Sequence, residues 1–594
     1  MSFLTAAFDK HMKGKQFGEN AHAEHAWSSK SDELIVQFFF QLVRTKDTSD
    51  LKSKLRTLLT KLTWNNDLDN LTKLFKLIGQ TRDIVAGKGE YNLAFMQIAV
   101  WWDYYPQLAF EAFKLFVKGN DNPLDHQYGS WKDIKYMCNY LKENTTEGQK
   151  HRFIHEILVF TAVELRTEWQ KWQTAAGSYK PGLIGRWLPR EKSKKFGWIH
   201  SILAGLLFPE FVREPTGGWK SRAQQKKATL KQKIHLTKML TVLSKATDTP
   251  QIKMCDPDGR WHELKFNNVT SLTLRKQKNA IMNRTKKGER RSDKDDRVKC
   301  AQNYAQHLAA AAAGDKTAKI HGKRCNVGEL VKDALHNGPH AAATVNQQWE
   351  SNKANNKGLE HLPAVSMCDT SGSMECDDGT PLYNAMGLSL RMSELCHPAF
   401  RNRILTFSAR PTWVQFSDNE TFVAKVSKLR QADWGCNTDF HAALDKILEV
   451  LVLENVDPKT VRNMLFACFS DMQFDTAAGQ SIHAWESAQE SIVRKFAAAG
   501  MRTKWKRPYD APHFLFWNLR KTSGFPATTC TKNVTFLSGY SSALLNLFCE
   551  KGVEGLRECT PSSQIDEVLS NKRYDPMDTI IREFCRTCEL RGYY

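Results

Sequence analysis

Asp369-Thr370-Ser371-Gly372-Ser373-Met374 sets one carboxylate and two hydroxyls at alternate positions, a D-x-S-x-S pattern. These are hard oxygen donors, suited to Mg²⁺ or Mn²⁺, or to Ca²⁺, rather than to a soft metal. Gly372 gives the backbone the freedom to turn both hydroxyls one way. Two later stretches offer more of the same chemistry. Gly435-Cys436-Asn437-Thr438-Asp439 carries a third hydroxyl on Thr438, and Phe469-Ser470-Asp471 carries a second carboxylate. Alone, each of these reads equally well as a helix cap or a strand-end turn.

Other patterns fail on spacing. Asp377-Asp378-Gly379-Thr380 lacks the aspartate that D-x-D-G-T needs at position 376, which is Cys376. Ser371 does not sit in G-x-S-x-G, because position 369 is Asp. Gly87-Lys88-Gly89 lacks the glycine and the hydroxyl of a phosphate loop, having Arg82 and Gly89 at those places. His22 and His25 form one H-x-x-H without a third ligand, and Cys585 and Cys588 form one CxxC without a second. His441 and His483 complete no nucleophile–base pattern. No catalytic set emerges, and a non-enzymatic protein is expected.

The elements that position the oxygen donors come from periodicity. From Leu362 onward short apolar runs (LPAVSMC, NRILTF, PTWVQF, NMLFACFS, HFLFWN, NVTFLS) alternate with helical stretches near 382–395, 440–451, 483–499 and 541–548. Such alternation predicts a mostly parallel sheet with helices on both faces. PTWVQF follows its predecessor too closely for a helical crossover and is predicted to be an antiparallel edge strand. Asp369 and Asp471 then end their strands at the edge where open α/β sheets bind ligands, and Thr438 lies in a loop just before a helix.

The order and spacing of these three loops resemble a von Willebrand A domain of Rossmann type with a metal-ion-dependent adhesion site. The resemblance implies that Asp369, Ser371 and Ser373 bind the ion, with Thr438 and Asp471 bound directly or through water. It also implies one open coordination position for an exposed Asp or Glu of a protein partner.

The rest of the chain has a different texture. Residues 30 to about 245 read as successive helices, with apolar residues three and four apart in stretches such as 51–62, 71–78, 92–101, 107–117, 131–141, 153–165, 196–207 and 230–243. Polar or Gly/Pro breaks separate them. This predicts an all-α array, HEAT-like or another solenoid, without a fixed-period repeat. Residues 1–335 are assigned to the array, 336–359 to a polar linker and 360–594 to the α/β domain.

Charge divides the chain along the same line. Its formal net charge is +21, from 85 basic and 64 acidic residues; 26 and 28 of these fall in 360–594, leaving 59 and 36 in 1–359. The whole excess sits in the helical part, which points to an acidic partner such as nucleic acid. Composition marks Arg186, Arg190, Lys192, Lys194 and Lys195, then the dense run of Arg275, Lys276, Lys278, Arg284, Lys286, Lys287, Arg290 and Arg291. Trp131 and Trp187 read as helix-packing core rather than stacking platforms.

No apolar run reaches the roughly 18–20 residues of a membrane span; Leu34–Val43 is broken by Gln37 and Gln41. The N-terminus MSFLTAAFDKHMKGK has no apolar signal core, and the fourteen cysteines are scattered. An intracellular protein is expected, cytoplasmic rather than nuclear.

A helical array followed by such a domain resembles the Ro/TROVE proteins, in which a ring of helical repeats closed by a von Willebrand A domain binds structured and misfolded RNA. The chain is also similar to a family of largely uncharacterised proteins described by a domain of unknown function. Thr81-Arg82-Asp83-Ile84, Gly87-Lys88-Gly89, Tyr128-Gly129-Ser130-Trp131-Lys132-Asp133, Trp187-Leu188-Pro189-Arg190, Arg260-Trp261-His262-Glu263, Asp369 to Met374 and Arg573-Tyr574-Asp575-Pro576 carry that likeness. It adds Arg82, Lys88 and Lys132 to the candidate RNA contacts. Two functions follow as expectations: a ribonucleoprotein scaffold binding structured RNA or single-stranded ends, or a metal-dependent protein-interaction module without nucleic acid.

Overall fold

A computed structural model describes residues 14–20, 22–119, 126–175, 178–213, 221–354, 356, 362–407, 410–432, 439–474, 487–547 and 558–590. The helical array is present where periodicity placed it. Ser31–Gln41, Ser49–Trp64, Leu68–Arg82, Tyr91–Tyr104, Pro106–Val117, Lys132–Asn144, Arg152–Thr174, Gly197–Leu207 and Arg222–Ala246 pack on their neighbours. Leu68–Arg82 shows why. Asp67 caps its first turn through Asn70 N at 3.1 Å, and Leu71, Leu74, Phe75, Leu77 and Ile78 form one buried stripe. Arg222–Ala246 starts in a capping box between Ser221 and Gln224. Among the described residues no helix is long and apolar enough to cross a membrane.

One helix of the array carries a buried titratable group. His200 on Gly197–Leu207 is 0% exposed, its Nε2 lies 3.2 Å from Thr237 Oγ1, and burial lowers its pKa from the ordinary histidine value. The unfolded chain therefore takes up a proton first as pH falls through about 6.5, and stability present above that pH is lost below it. The expected loss attributable to His200 at pH 5.5 is at most about 1.4 kcal/mol. A His200→Gln variant should show a correspondingly smaller fall in melting temperature between pH 7.5 and 5.5.

Among the described residues the C-terminal part carries a six-stranded mixed sheet. A two-stranded hairpin near the N-terminus supplies β1 (Lys15–Phe17) and β2 (Ala23–His25). The sheet itself contains β3 (Ala364–Asp369), β4 (Arg403–Phe407), β5 (Thr412–Gln415), β6 (Leu465–Ser470), β7 (His513–Asn518) and β8 (Val534–Ser538), in the order β5-β4-β3-β6-β7-β8. Only β4 and β5 pair antiparallel within it, so PTWVQF is the antiparallel edge strand that its short connection required. The central strands are apolar without alternation because both faces are covered. Cys368, Phe469, Leu515, Trp517 and Leu537 face a core shared with the array, whereas Met367, Phe407, Phe466, Phe514 and Phe536 face a second core with Phe440, Leu444, Ile492 and Phe496.

Two expectations are corrected. The region 336–359 contains the helix Ala342–Lys353 rather than only a linker. Its polar composition misleads because its amides are internal: Gln348 Nε2 donates to Ser271 O at 3.1 Å and Asn352 Nδ2 to Cys325 O at 3.0 Å. Trp349 stacks on Phe422 with centroids 3.9 Å apart. The helix expected over 541–548 is a 3₁₀ turn, Ser542–Asn546, with residue 548 outside the described residues.

The two parts are tied together. Ser31–Gln41 packs on β8 and on Pro561–Leu569, and the last helix, Asp575–Leu590, returns to Leu68–Arg82 and Pro106–Val117. Three of the short motifs, at 81–84, 128–133 and 573–576, meet at this junction. Arg82 Nε and Nη2 donate to Asp133 at 2.8 and 3.0 Å. Arg573 does the same to Asp83 at 2.8 and 2.7 Å, and Tyr128 Oη donates to Arg573 O. Gly129 is needed beside them, since a Cβ there would collide with the Asp133 carboxylate and the Arg82 guanidinium.

Candidate functional site

β3 and β6 are parallel neighbours with Cys368 opposite Phe469. That register brings the residues after them, Asp369 and Ser470, level at the C-terminal edge. Ser470 Oγ donates to Asp369 Oδ2, and Ser371 N donates to Asp369 Oδ1 at 2.9 Å. Ser371 Oγ lies 3.0 Å from Ser373 Oγ. Asp369 and Asp471 are both 0% exposed and Ser371 is 1% exposed. Asp369, Ser371, Ser373 and Asp471 therefore meet at one sheet edge. Thr438 lies outside the described residues; Asp439 after it caps the helix Phe440–Leu453 through Ala442 N at 2.7 Å.

The Asp369 carboxylate carries an electrostatic penalty at this edge. Burial, and then the Asp471 carboxylate, push the Asp369 carboxyl up to about 7. Thr370 Oγ1 is buried without a hydrogen-bond partner among the described residues. Two buried carboxylates with neighbouring hydroxyls are a donor set that fits a small divalent ion. Among the described residues no group of three or more His, Cys, Asp and Glu side chains gathers for a metal, so the fit rests on two carboxylates helped by hydroxyls.

Arg520 was not legible as part of this edge. It lies just beyond β7, and its Nε donates to Asp471 Oδ2 at 2.9 Å. Its Nη2 donates to Glu19 Oε2 at 2.6 Å. The only sequence signal is a basic residue two places after a strand that ends at the same edge.

The candidate RNA contacts separate into two sets. Arg82 and Lys88 are corrected: both are buried, Arg82 in its pair with Asp133 and Lys88 on Phe39 O, Leu42 O and Ser538 Oγ. Arg275 and Lys278 are also spent internally, on Glu329 and Asp333. Arg190 donates to Leu240 O at 3.1 Å, and Lys195 pairs with Glu143 at 3.6 Å. Arg284 donates to Gly288 O at 3.1 Å, and Arg290 pairs with Asp293 at 3.0 Å. Lys192, Lys194, Lys286, Lys287 and Arg291 are exposed.

Lys132, Arg186 and Lys276 behave differently. Lys132 Nζ lies 3.9 Å from the centre of the Trp187 ring, with Arg186 and Lys135 at 5.2 and 5.5 Å from the same ring. Burial, and then the like charges of Lys276 and Lys135, lower the Lys132 pKa. Among the described residues none of these four cations reaches a carboxylate within ion-pair distance. Around them Lys135 also lies 5.6 Å from both Tyr136 and Phe196, and Tyr136 stacks on Tyr91 at 5.6 Å. Trp187, assigned to core by its sequence context, is half-buried under this cluster. Trp131 is also half-buried and stacks on Phe160 at 6.4 Å.

Residues 363–583 match the family described as Domain of unknown function (DUF7788). Over 583 residues the chain is 26% identical to an uncharacterised protein of Acanthamoeba polyphaga mimivirus, covering 95% of this chain and 89% of that protein. The likeness therefore spans the helical array and the sheet together.

Proposed function

We propose that the chain is a non-enzymatic RNA-binding scaffold whose basic array holds backbone phosphates and whose C-terminal part is a von Willebrand A-like domain that meets an acidic protein partner through a divalent ion, most simply Mg²⁺. The observation that carries the RNA reading is the cluster of Lys132, Lys135 and Arg186 around Trp187, with the like charge of Lys276 acting on Lys132. Cations that repel one another and find no carboxylate keep their charge for a ligand, and a polyanion answers that charge. The half-exposed rings of Tyr91 and Tyr136 beside them offer faces on which unpaired bases stack. This favours single-stranded ends or loops over duplex.

A second reading, a metal-dependent interaction module without nucleic acid, is favoured by the sheet edge. There the bound ion would supply a Lewis-acidic centre for a partner's carboxylate, held by Asp369 and Asp471 with Ser371 and Ser373 beside them. A Thr438 hydroxyl remains part of that proposal.

One experiment separates the readings: retention of a single-stranded RNA pool by the full-length chain across a salt series. The variant K132Q/K135Q/R186Q/K276Q should bind on the order of a hundredfold more weakly at 0.15 M salt, with a salt slope shallower by about 3 in log–log units. Asp369→Ala should leave both quantities unchanged. Retention that survives the four substitutions with an unaltered slope would remove this surface from the RNA reading, and no retention by the parent at low salt would leave the second reading standing.

A further inference from the structure

The metal edge already holds a cation of the chain's own. Arg520 Nε bonds Asp471 Oδ2 at 2.9 Å, and Arg520 Nη2 bonds Glu19 Oε2 at 2.6 Å. Glu19 lies between β1 and β2, on a hairpin fastened to the loops beyond β6 and β7. Its backbone N–H donates to Gln473 Oε1 at 2.7 Å, and Asn20 Nδ2 donates to Gln473 O at 3.0 Å. His25 and Phe525 exchange two backbone hydrogen bonds at 2.9 and 3.0 Å. Gln473 N in turn donates to Asp471 Oδ1 at 3.2 Å. The hairpin thus reaches both oxygens of Asp471, one through Arg520 and the other through Gln473.

We propose that Arg520 is a tethered cation that shares Asp471 with the divalent ion, and that Glu19 is the seat to which the guanidinium moves when the ion arrives, so that ion binding and docking of the N-terminal hairpin reinforce each other. The inference rests on the metal-site reading above. An ion brought to Asp369 and Asp471 meets a like charge already bonded to one of its ligands, and that repulsion is strong in a buried site. Glu19 answers it. Its side chain is 55% exposed, against 0% for Asp471, so it receives the guanidinium without a second buried charge being made. Linkage then requires reciprocity: whatever factor the docked hairpin adds to ion affinity, the ion adds to hairpin docking.

The signs are fixed by this arrangement. Arg520→Gln removes the competing charge and should tighten binding of Mn²⁺ about tenfold. Glu19→Gln removes the alternate seat, leaves Arg520 wholly on Asp471 and should weaken Mn²⁺ about threefold. In the Arg520→Gln background the Glu19→Gln change should have no effect, because there is no guanidinium to receive.

Calorimetric titration of Mn²⁺ into the full-length chain and these three variants reads all of it. Hydrogen exchange adds an independent measure: Mn²⁺ should slow exchange in 15–25 in the parent and not in Glu19→Gln. Weaker Mn²⁺ binding by Arg520→Gln would overturn the proposal, since Arg520 would then be orienting Asp471. An equal effect of Glu19→Gln in both backgrounds would overturn it as well. A parent that binds no Mn²⁺ sinks the metal-site reading together with it, whereas a parent that binds while Glu19→Gln changes nothing sinks the coupling alone. Glu19 sits at an exposed turn, so its variant stays testable even if Arg520→Gln does not fold.

Discussion

Replacing Asp369 by asparagine should abolish saturable Mg²⁺ or Mn²⁺ binding, a loss of at least a hundredfold, and at the same time raise the stability of the metal-free chain. The two effects have one origin. Asp369 and Asp471 are buried carboxylates at adjacent strand ends, and without an ion the Asp369 charge is disfavoured by burial and by Asp471. Asparagine keeps an acceptor for Ser371 N and turns a donor toward Ser470 Oγ, so the local hydrogen bonds survive. What disappears is one buried charge. The gain at pH 8 should be on the order of 2 kcal/mol, seen as a higher melting temperature in chelator. Added Mg²⁺ should raise the parent's melting temperature and leave the variant's unmoved. A variant less stable than the parent in chelator would mean that Arg520 already neutralises the pair, and that the edge does not call for an ion. Ser371→Ala is the milder companion: it removes one neutral hydroxyl, so metal affinity should fall while metal-free stability stays near that of the parent.

How much of this was legible in sequence depended on how far apart the interacting residues lie. Asp369, Ser371 and Ser373 are local, and a strand-end turn is enough to bring them together. Asp471 followed from its strand ending at the same sheet edge, which the alternation of apolar runs with helices supports; that its strand is the neighbour of β3 did not. The antiparallel edge strand followed from chain length alone. Arg520 and Glu19 did not follow, because they lie 49 and 452 positions from Asp471 in opposite directions along the chain. Only the order of the sheet and the path of the N-terminal hairpin bring them there. The helix Ala342–Lys353 was hidden by composition. Amides look solvated in sequence, and only the observed carbonyl partners of Gln348 and Asn352 show them to be internal. The basic residues erred the other way. A charge is visible in sequence, but its partner is not, and Arg82, Arg275 and Lys278 have carboxylates waiting in other helices. The short motif in which Arg82 and Asp83 sit ties two helices of the array through Asp133 and reaches the turn before the C-terminal helix through Arg573, so these residues have a sufficient cause in packing.

Lys88 puts that distinction to its sharpest test. It is 3% exposed, and burial pulls its ammonium well below the usual lysine value, with Glu90 opposing. Its Nζ donates to Phe39 O at 2.6 Å and Leu42 O at 3.0 Å at the end of Ser31–Gln41, and also bonds Ser538 Oγ at the end of β8; Phe39 O accepts from Leu42 N and Ser538 Oγ as well. In either protonation state two N–H groups remain for the two carbonyls. The side chain thus caps a helix of the array and pins it to the sheet. Lys88→Met keeps most of the volume and removes the donors, leaving Leu42 O unpaired while Phe39 O keeps Leu42 N and Ser538 Oγ. The expected cost is about 2 kcal/mol, read as a lower melting temperature and as faster hydrogen exchange confined first to 31–41 and 534–538. Affinity for RNA, measured well below that melting temperature, should be unchanged. The opposite result, an intact melting temperature with weakened RNA binding and a shallower salt slope, would return Lys88 to the phosphate surface and would mean that the loop 87–89 opens to receive its ligand.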